Sequence, residues 1–129
     1  MSDNASLLRK ALYVDSAFSF VGGAVLLLFS KAAASALGFT TPWGILVVGV
    51  IAVVYGIEVY LAARAEPVRI GIARFATYGN LAWVVGSALV IFVNLVPLTT
   101  AGKWAVALTA DAVLVLALFQ YAGLRRLAK

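Results

Sequence analysis

Residues 43–63 read WGILVVGVIAVVYGIEVYLAA. Glu58 is the one charge in the run, and apolar residues fill every helical face instead of a single stripe. A helix that is apolar all round belongs in a membrane or in the core of a large protein. A chain of 129 residues has too little volume to enclose such a helix. The length also suits a bilayer, which needs about 20 mostly apolar residues per crossing.

Three similar segments flank this run, at residues 11–30, 70–93 and 104–123. Together the four use most of the chain and leave only short connections. The expected fold is all-α: a polytopic, antiparallel four-helix transmembrane bundle forming one domain over residues 1–129. Composition agrees. The chain is 64% hydrophobic and 12% charged, with mean hydropathy +1.06. Soluble domains are about 45–50% apolar and about 25% charged. That excludes an ordinary soluble enzyme domain, a disordered tail and a nucleic-acid module.

The joints carry helix punctuation. Gly38 can adopt the left-handed conformation that ends a helix. Thr41-Pro42 and Glu66-Pro67 suggest a cap followed by proline at a first helical position. Pro97, Thr99 and Thr100 mark the last turn, and Ser2, Asp3 and Asn4 would start the first helix early. Arg9, Lys10, the apolar run and Ala34-Ser35-Ala36 resemble a signal peptide. That run is long for a signal, however, and Asp15 interrupts it, so a retained span is expected.

The bases divide unequally. Arg9, Lys10, Arg64, Arg69, Arg74, Arg125, Arg126 and Lys129 fall on one side of the membrane, and Lys31 and Lys103 on the other: eight against two. Basic short loops stay cytoplasmic. The expectation is a multi-pass protein of the bacterial inner membrane with both termini inside. The charge of +5 then serves orientation and contact with membrane lipids, and no nucleic-acid partner is expected. Trp43 and Trp104 mark the outer interface, and Tyr13, Tyr60 and Tyr121 the inner one.

Small residues allow close helix approach in lipid. Ser19 and Gly23 in the first span are expected to face neighbouring helices within the chain. So are Gly49, Ala52, Gly56 and Ala63 in the second, and Gly79, Ala82 and Gly86 in the third.

Ionisable groups inside a span are costly and mark pairs or pathways. At 1.5 Å per residue, Asp15, Glu58, Arg74 and Gln120 all lie roughly 7–9 Å in from the cytoplasmic ends. Tyr78 and Tyr55 lie slightly deeper. The expected arrangement is an ion-pair network in which Arg74 bridges Asp15 and Glu58 and fixes helix register. The alternative is a binding pocket or inner gate open to the cytoplasm. Asp111 stands apart, about 12 Å from the outer end of its helix and about 21 Å from the inner. It is a candidate proton, cation or ligand site near the midplane, with Asn80, Ser87 and Trp83 as expected neighbours.

The chain has no cysteine and no histidine, which removes the commonest metal and haem ligands. No metal or cofactor is predicted, although a lipid or hydrophobic cofactor would fit. No nucleophile motif or phosphate loop is present, so no enzyme activity is expected. The stretches Asn80-Leu81-Ala82-Trp83-Val84-Val85-Gly86-Ser87 and Gln120-Tyr121-Ala122-Gly123-Leu124-Arg125-Arg126 resemble uncharacterised small bacterial four-span integral membrane proteins. That resemblance implies a topology and no activity. The leading expectation is a non-enzymatic interaction, accessory or structural subunit, as a homo-oligomer or within a larger membrane complex. A small proton- or cation-coupled transporter or channel using the intramembrane acids is the alternative. A subunit binding a lipid or hydrophobic cofactor is a further one.

Overall fold

A computed structural model of the chain describes residues 2–93 and 98–128. It is a bundle of five helices: α1 (Ser2–Leu28), α2 (Ser30–Leu37), α3 (Trp43–Arg64), α4 (Ile70–Val93) and α5 (Thr100–Ala128). Four of them, α1, α3, α4 and α5, are long and apolar enough to cross a membrane. The structure adds the short helix α2; α1 starts early, as Ser2, Asp3 and Asn4 suggest, and ends two residues short of its expected span, while α5 passes its span at both ends.

The joints have local causes. Gly38 ends α2 with φ 98°, and its N–H reaches the carbonyls of Ala34 and Ser35. Phe39 N–H returns to Ala34 O at 2.8 Å, which closes the turn. Thr99 caps α5: Gly102 N–H donates to its Oγ1 at 2.9 Å. Thr99 N–H also donates to Leu37 O at 3.1 Å and ties the start of α5 to the end of α2. Two proline expectations shift. Pro42 itself takes the cap position of α3, without a side-chain cap bond from Thr41, and α4 starts three residues beyond Pro67. Asn94, Pro97 and Lys129 lie outside the described residues.

α1 is the hub. It packs most extensively on α3 and then on α5, and α4 leans on α5, while α3 and α4 scarcely touch. Glycines set the close contacts. A Cβ on Gly56 would lie 2.9 Å from Phe20 N, and one on Gly23 2.8 Å from Gly49 O, both across the α1–α3 seam. A Cβ on Gly123 would lie 2.7 Å from Leu8 Cα, across α1–α5. The apolar core, built on Leu8, Leu12, Val59, Ala63, Ala73 and Ala76, sits toward the end of the bundle that holds the termini.

Arg9 locks that end. Its guanidinium donates to the Ala63 carbonyl and, at 3.2 Å, to Ala65 O. It also pairs with Glu66 at 3.3 Å. A cation there meets the unsatisfied carbonyls at the C-terminus of α3. Beside it the Tyr13 and Tyr60 rings meet at a tilt of 57° with centroids 5.8 Å apart, and Arg64 lies 5.9 Å from the Tyr60 ring. Arg125 lies at the same distance from Tyr121.

The third-span glycines depart from expectation. Gly79 and Ala82 are exposed, and a Cβ on Gly79 or Gly86 would meet nothing within 4 Å. The contact face of α4 is instead Ala73, Ala76, Thr77, Asn80 and Ser87. These small residues at helical spacing lean on α5 and turn the glycines away.

Substitution of these glycines separates tight from open positions. Gly123→Ala should cost about 1–3 kcal/mol through overpacking against Leu8. Gly22→Ala, where a Cβ meets nothing within 4 Å, should be neutral or slightly stabilising. Unfolding of both variants in mild detergent provides the comparison.

Candidate functional site

Four helices converge on one carboxyl group. The helical repeat turns Leu8, Leu12, Asp15 and Ser16 of α1 inward, and all four are buried. Asp15 is 1% exposed. Its Oδ2 accepts three hydrogen bonds: from the Tyr55 hydroxyl of α3 at 2.7 Å, Asn80 Nδ2 of α4 at 3.0 Å and Gln120 Nε2 of α5 at 2.7 Å. Its Oδ1 accepts from Ser19 Oγ at 3.2 Å. Asn80 Nδ2 also donates to Gln120 Oε1 at 2.9 Å and closes a ring of polar side chains. Among the described residues no buried side-chain nitrogen or oxygen lacks a partner.

The composition of the ring is informative. The Asn80 and Gln120 amides are obligate N–H donors toward Asp15, and the two hydroxyls add O–H donors. The contacts therefore treat Asp15 as an acceptor throughout. No cation joins them, because the one ion pair among the described residues is Arg9–Glu66.

The expected polar layer is thus partly assembled. The structure brings Asp15 and Gln120 together and places Asn80 with them, not with Asp111. It does not bring in Glu58, Arg74 or Tyr78, whose side chains are exposed on the outside of the bundle. Arg74 bridges neither acid. The cause is rotation about each helix axis. Val59 of α3 and Ala73, Ala76 and Thr77 of α4 occupy the inward positions, which leaves Glu58, Arg74 and Tyr78 facing out. Asp111 is also exposed, on the side of α5 away from buried Val113, Leu116, Ala117 and Gln120. Among the described residues it makes no hydrogen bond or ion pair. Ser87 is buried on α4 but does not meet it.

Sequence reasoning missed two ring members. Tyr55 was placed only by depth, and Ser19 only as a small packing residue. The available signal was spacing: Asp15 and Ser19 are one turn apart, and Asn80 continues the small-residue face of Ala73, Ala76 and Thr77.

The ring forms the floor of a cleft. Because α3 and α4 scarcely touch, a cavity of about 420 Å³ opens between them. Ser19, Tyr55, Asn80 and Thr109 are its polar residues, and Phe18, Phe75 and Trp83 supply aromatic wall. Gly22, Gly23, Ala52 and Gly79 leave room for an occupant. A second groove of about 540 Å³ runs along α1 and α3 past Tyr13, Phe20 and Tyr60 and is almost wholly apolar.

The acceptor role of Asp15 sets the outcome of substitution. In Asp15→Asn the side-chain oxygen can hold the Oδ2 position and keep three donors, while the new N–H₂ faces Ser19 Oγ, which can accept. That variant should stay within about 1 kcal/mol of the parent. Asp15→Ala leaves the donors without their acceptor and should cost about 3 kcal/mol. Equal losses for the two variants in detergent unfolding would count against the ring.

No protein family, curated protein or solved structure matches this chain.

Proposed function

We propose that this chain is a non-enzymatic, multi-pass protein of the bacterial inner membrane that binds a small amphipathic molecule from the bilayer. The occupant's apolar body lies in the cleft between α3 and α4, and its polar head lies on the Asp15 ring. One observation carries this reading: the cleft and the ring coincide, so apolar walls at membrane depth end on a cluster of polar side chains. Ligand sites are typically concave and mostly apolar, with a few convergent polar groups. The bundle also gives lateral access, because α3 and α4 scarcely touch beside the cleft.

A second reading is a subunit that associates with copies of itself or with a larger membrane complex. Exposed Glu58, Arg74 and Asp111 favour it, since charges facing lipid are costly and a neighbouring chain would cover them. The orientation proposed for either reading has both termini in the cytoplasm, supported by the eight-to-two division of bases.

Gly79→Phe tests the binding reading. The position is open and lines the cleft, so the ring fills the cavity without disturbing the bundle. Protein purified in native lipid discs should carry a small amphipathic molecule at about one per chain, and Gly79→Phe should lose it while keeping its stability. Identical small-molecule content in the two preparations would overturn the reading. Single cysteines test the orientation, because the chain has none of its own. In intact cells a membrane-impermeant maleimide should label Lys31→Cys and spare Arg126→Cys; the reverse pattern would overturn it.

A further inference from the structure

We propose that the cleft selects a lipophilic ammonium, an alkyl or aryl amine in its charged form, over neutral or anionic amphiphiles of the same size. This rests on the binding reading above and specifies the head group. The inference follows from hydrogen accounting at the cleft floor. Thr109 and Trp83 line the cleft, Thr109 Oγ1 donating to Ala105 O at 2.8 Å and the Trp83 indole N–H having no partner among the described residues. The polar side chains shared by the cleft and the ring are Ser19, Tyr55 and Asn80. Between them they own four polar hydrogens, one on each hydroxyl and two on the amide. All four are committed inward: Ser19 and Tyr55 each donate to Asp15, and Asn80 donates to Asp15 and to Gln120. What remains for an occupant is oxygen. Ser19 Oγ and Tyr55 Oη keep acceptor lone pairs, and Asn80 Oδ1 lies 3.4 Å from Tyr55 Oη, whose one hydrogen is held by Asp15 at 2.7 Å.

A head group seated on these three side chains must therefore donate hydrogen bonds. A carboxylate or phosphate would bring more acceptors to three side chains with no donors left, with the single indole N–H of Trp83 on the cleft wall as its donor. An alcohol can donate one bond, whereas a primary ammonium can donate three. Charge points the same way. Asp15 lies directly behind the floor, and no cation among the described residues pairs with it. A positive head group would be held by that carboxylate across a medium that screens poorly. The walls add a further preference. Tyr55 and Phe75 are tilted neighbours with centroids 6.4 Å apart, and Phe18 and Trp83 complete an aromatic surround. Aromatic faces attract ammonium groups. The hydrocarbon body of the occupant would rest on the glycine and alanine surface above.

Trp83 gives a direct readout. With Trp43→Phe and Trp104→Phe it is the one tryptophan left. This protein in zwitterionic lipid discs is titrated with chain-brominated dodecylamine, dodecanol or dodecanoate at matched membrane concentration, and quenching of Trp83 is followed. The amine should quench at concentrations at least about tenfold lower than the alcohol, with the carboxylate weakest. Asp15→Asn, which keeps the hydrogen bonds but removes the charge, should bring the amine and the alcohol together. Equal quenching by amine and alcohol in the Asp15 protein would overturn ammonium selectivity while leaving the binding reading intact. Quenching no greater than that of free tryptophan octyl ester in the same discs, for all three probes, would overturn both. The comparison of probes in the Asp15 protein decides the matter even if Asp15→Asn fails to fold.

Discussion

The structure depends on one carboxyl group that accepts hydrogen bonds from all four long helices. In lipid there is no hydrophobic force to drive helices together, so packing and interhelical hydrogen bonds must do so. Asp15 concentrates the polar part of that task. Tyr55, Asn80 and Gln120 each come from a different helix and share a single oxygen. Moving any one helix by a residue would leave an amide or hydroxyl without its partner in a medium that offers no replacement. The ring therefore fixes register as well as proximity. It also explains how α3 and α4 keep a common position although they scarcely touch: each is tied to α1 through Asp15.

Around this point the packing is uneven, and the unevenness makes the cleft. Glycines 23, 49 and 56 let α1 and α3 approach closely, and Gly123 does the same for α5 against α1. Arg9 clamps the far end of α3 through its terminal carbonyls and Glu66. Between α3 and α4 the polar ties are looser: Tyr55 Oη lies 3.4 Å from Asn80 Oδ1 and 3.5 Å from Ala76 O, and Arg69 N–H meets Ala62 O at 3.3 Å in the connection. Their shared side stays open at membrane depth, and the polar ring is reached from there. Strong α1 contacts and a weak α3–α4 seam are two sides of the same arrangement, which leaves a cleft with apolar walls and a polar floor.

Much of the fold was legible because hydropathy and length act along the chain. The bounds of α3 and α4 nearly coincide with the runs read from sequence, and Gly38 ends a helix in the left-handed conformation expected of it. The site was legible only in depth. Rise per residue correctly put Asp15 and Gln120 in one layer, but it put Glu58 and Arg74 there too. Facing depends on rotation about the helix axis, and spans that are apolar on every side carry little record of it. Asn80 and Tyr55 lay inward and Asp111 outward for reasons of packing, set by which small residues meet which neighbour. Arg9 shows the same limit. It reads from sequence as one of eight bases grouped on one side, but its role at the α3 terminus needed the fold.

The most direct measurement is solid-state NMR of the protein in bilayers, with ¹³C at the Asp15 carboxyl and ¹⁵N on the Asn80 and Gln120 side chains. N···O separations of 3.0 and 2.7 Å call for a small but measurable through-space dipolar coupling from both nitrogens to the one carboxyl carbon. Coupling from both would place the three helices on a single acceptor. Absence of coupling from either nitrogen in folded protein would contradict the convergence on which the bundle and its cleft rest.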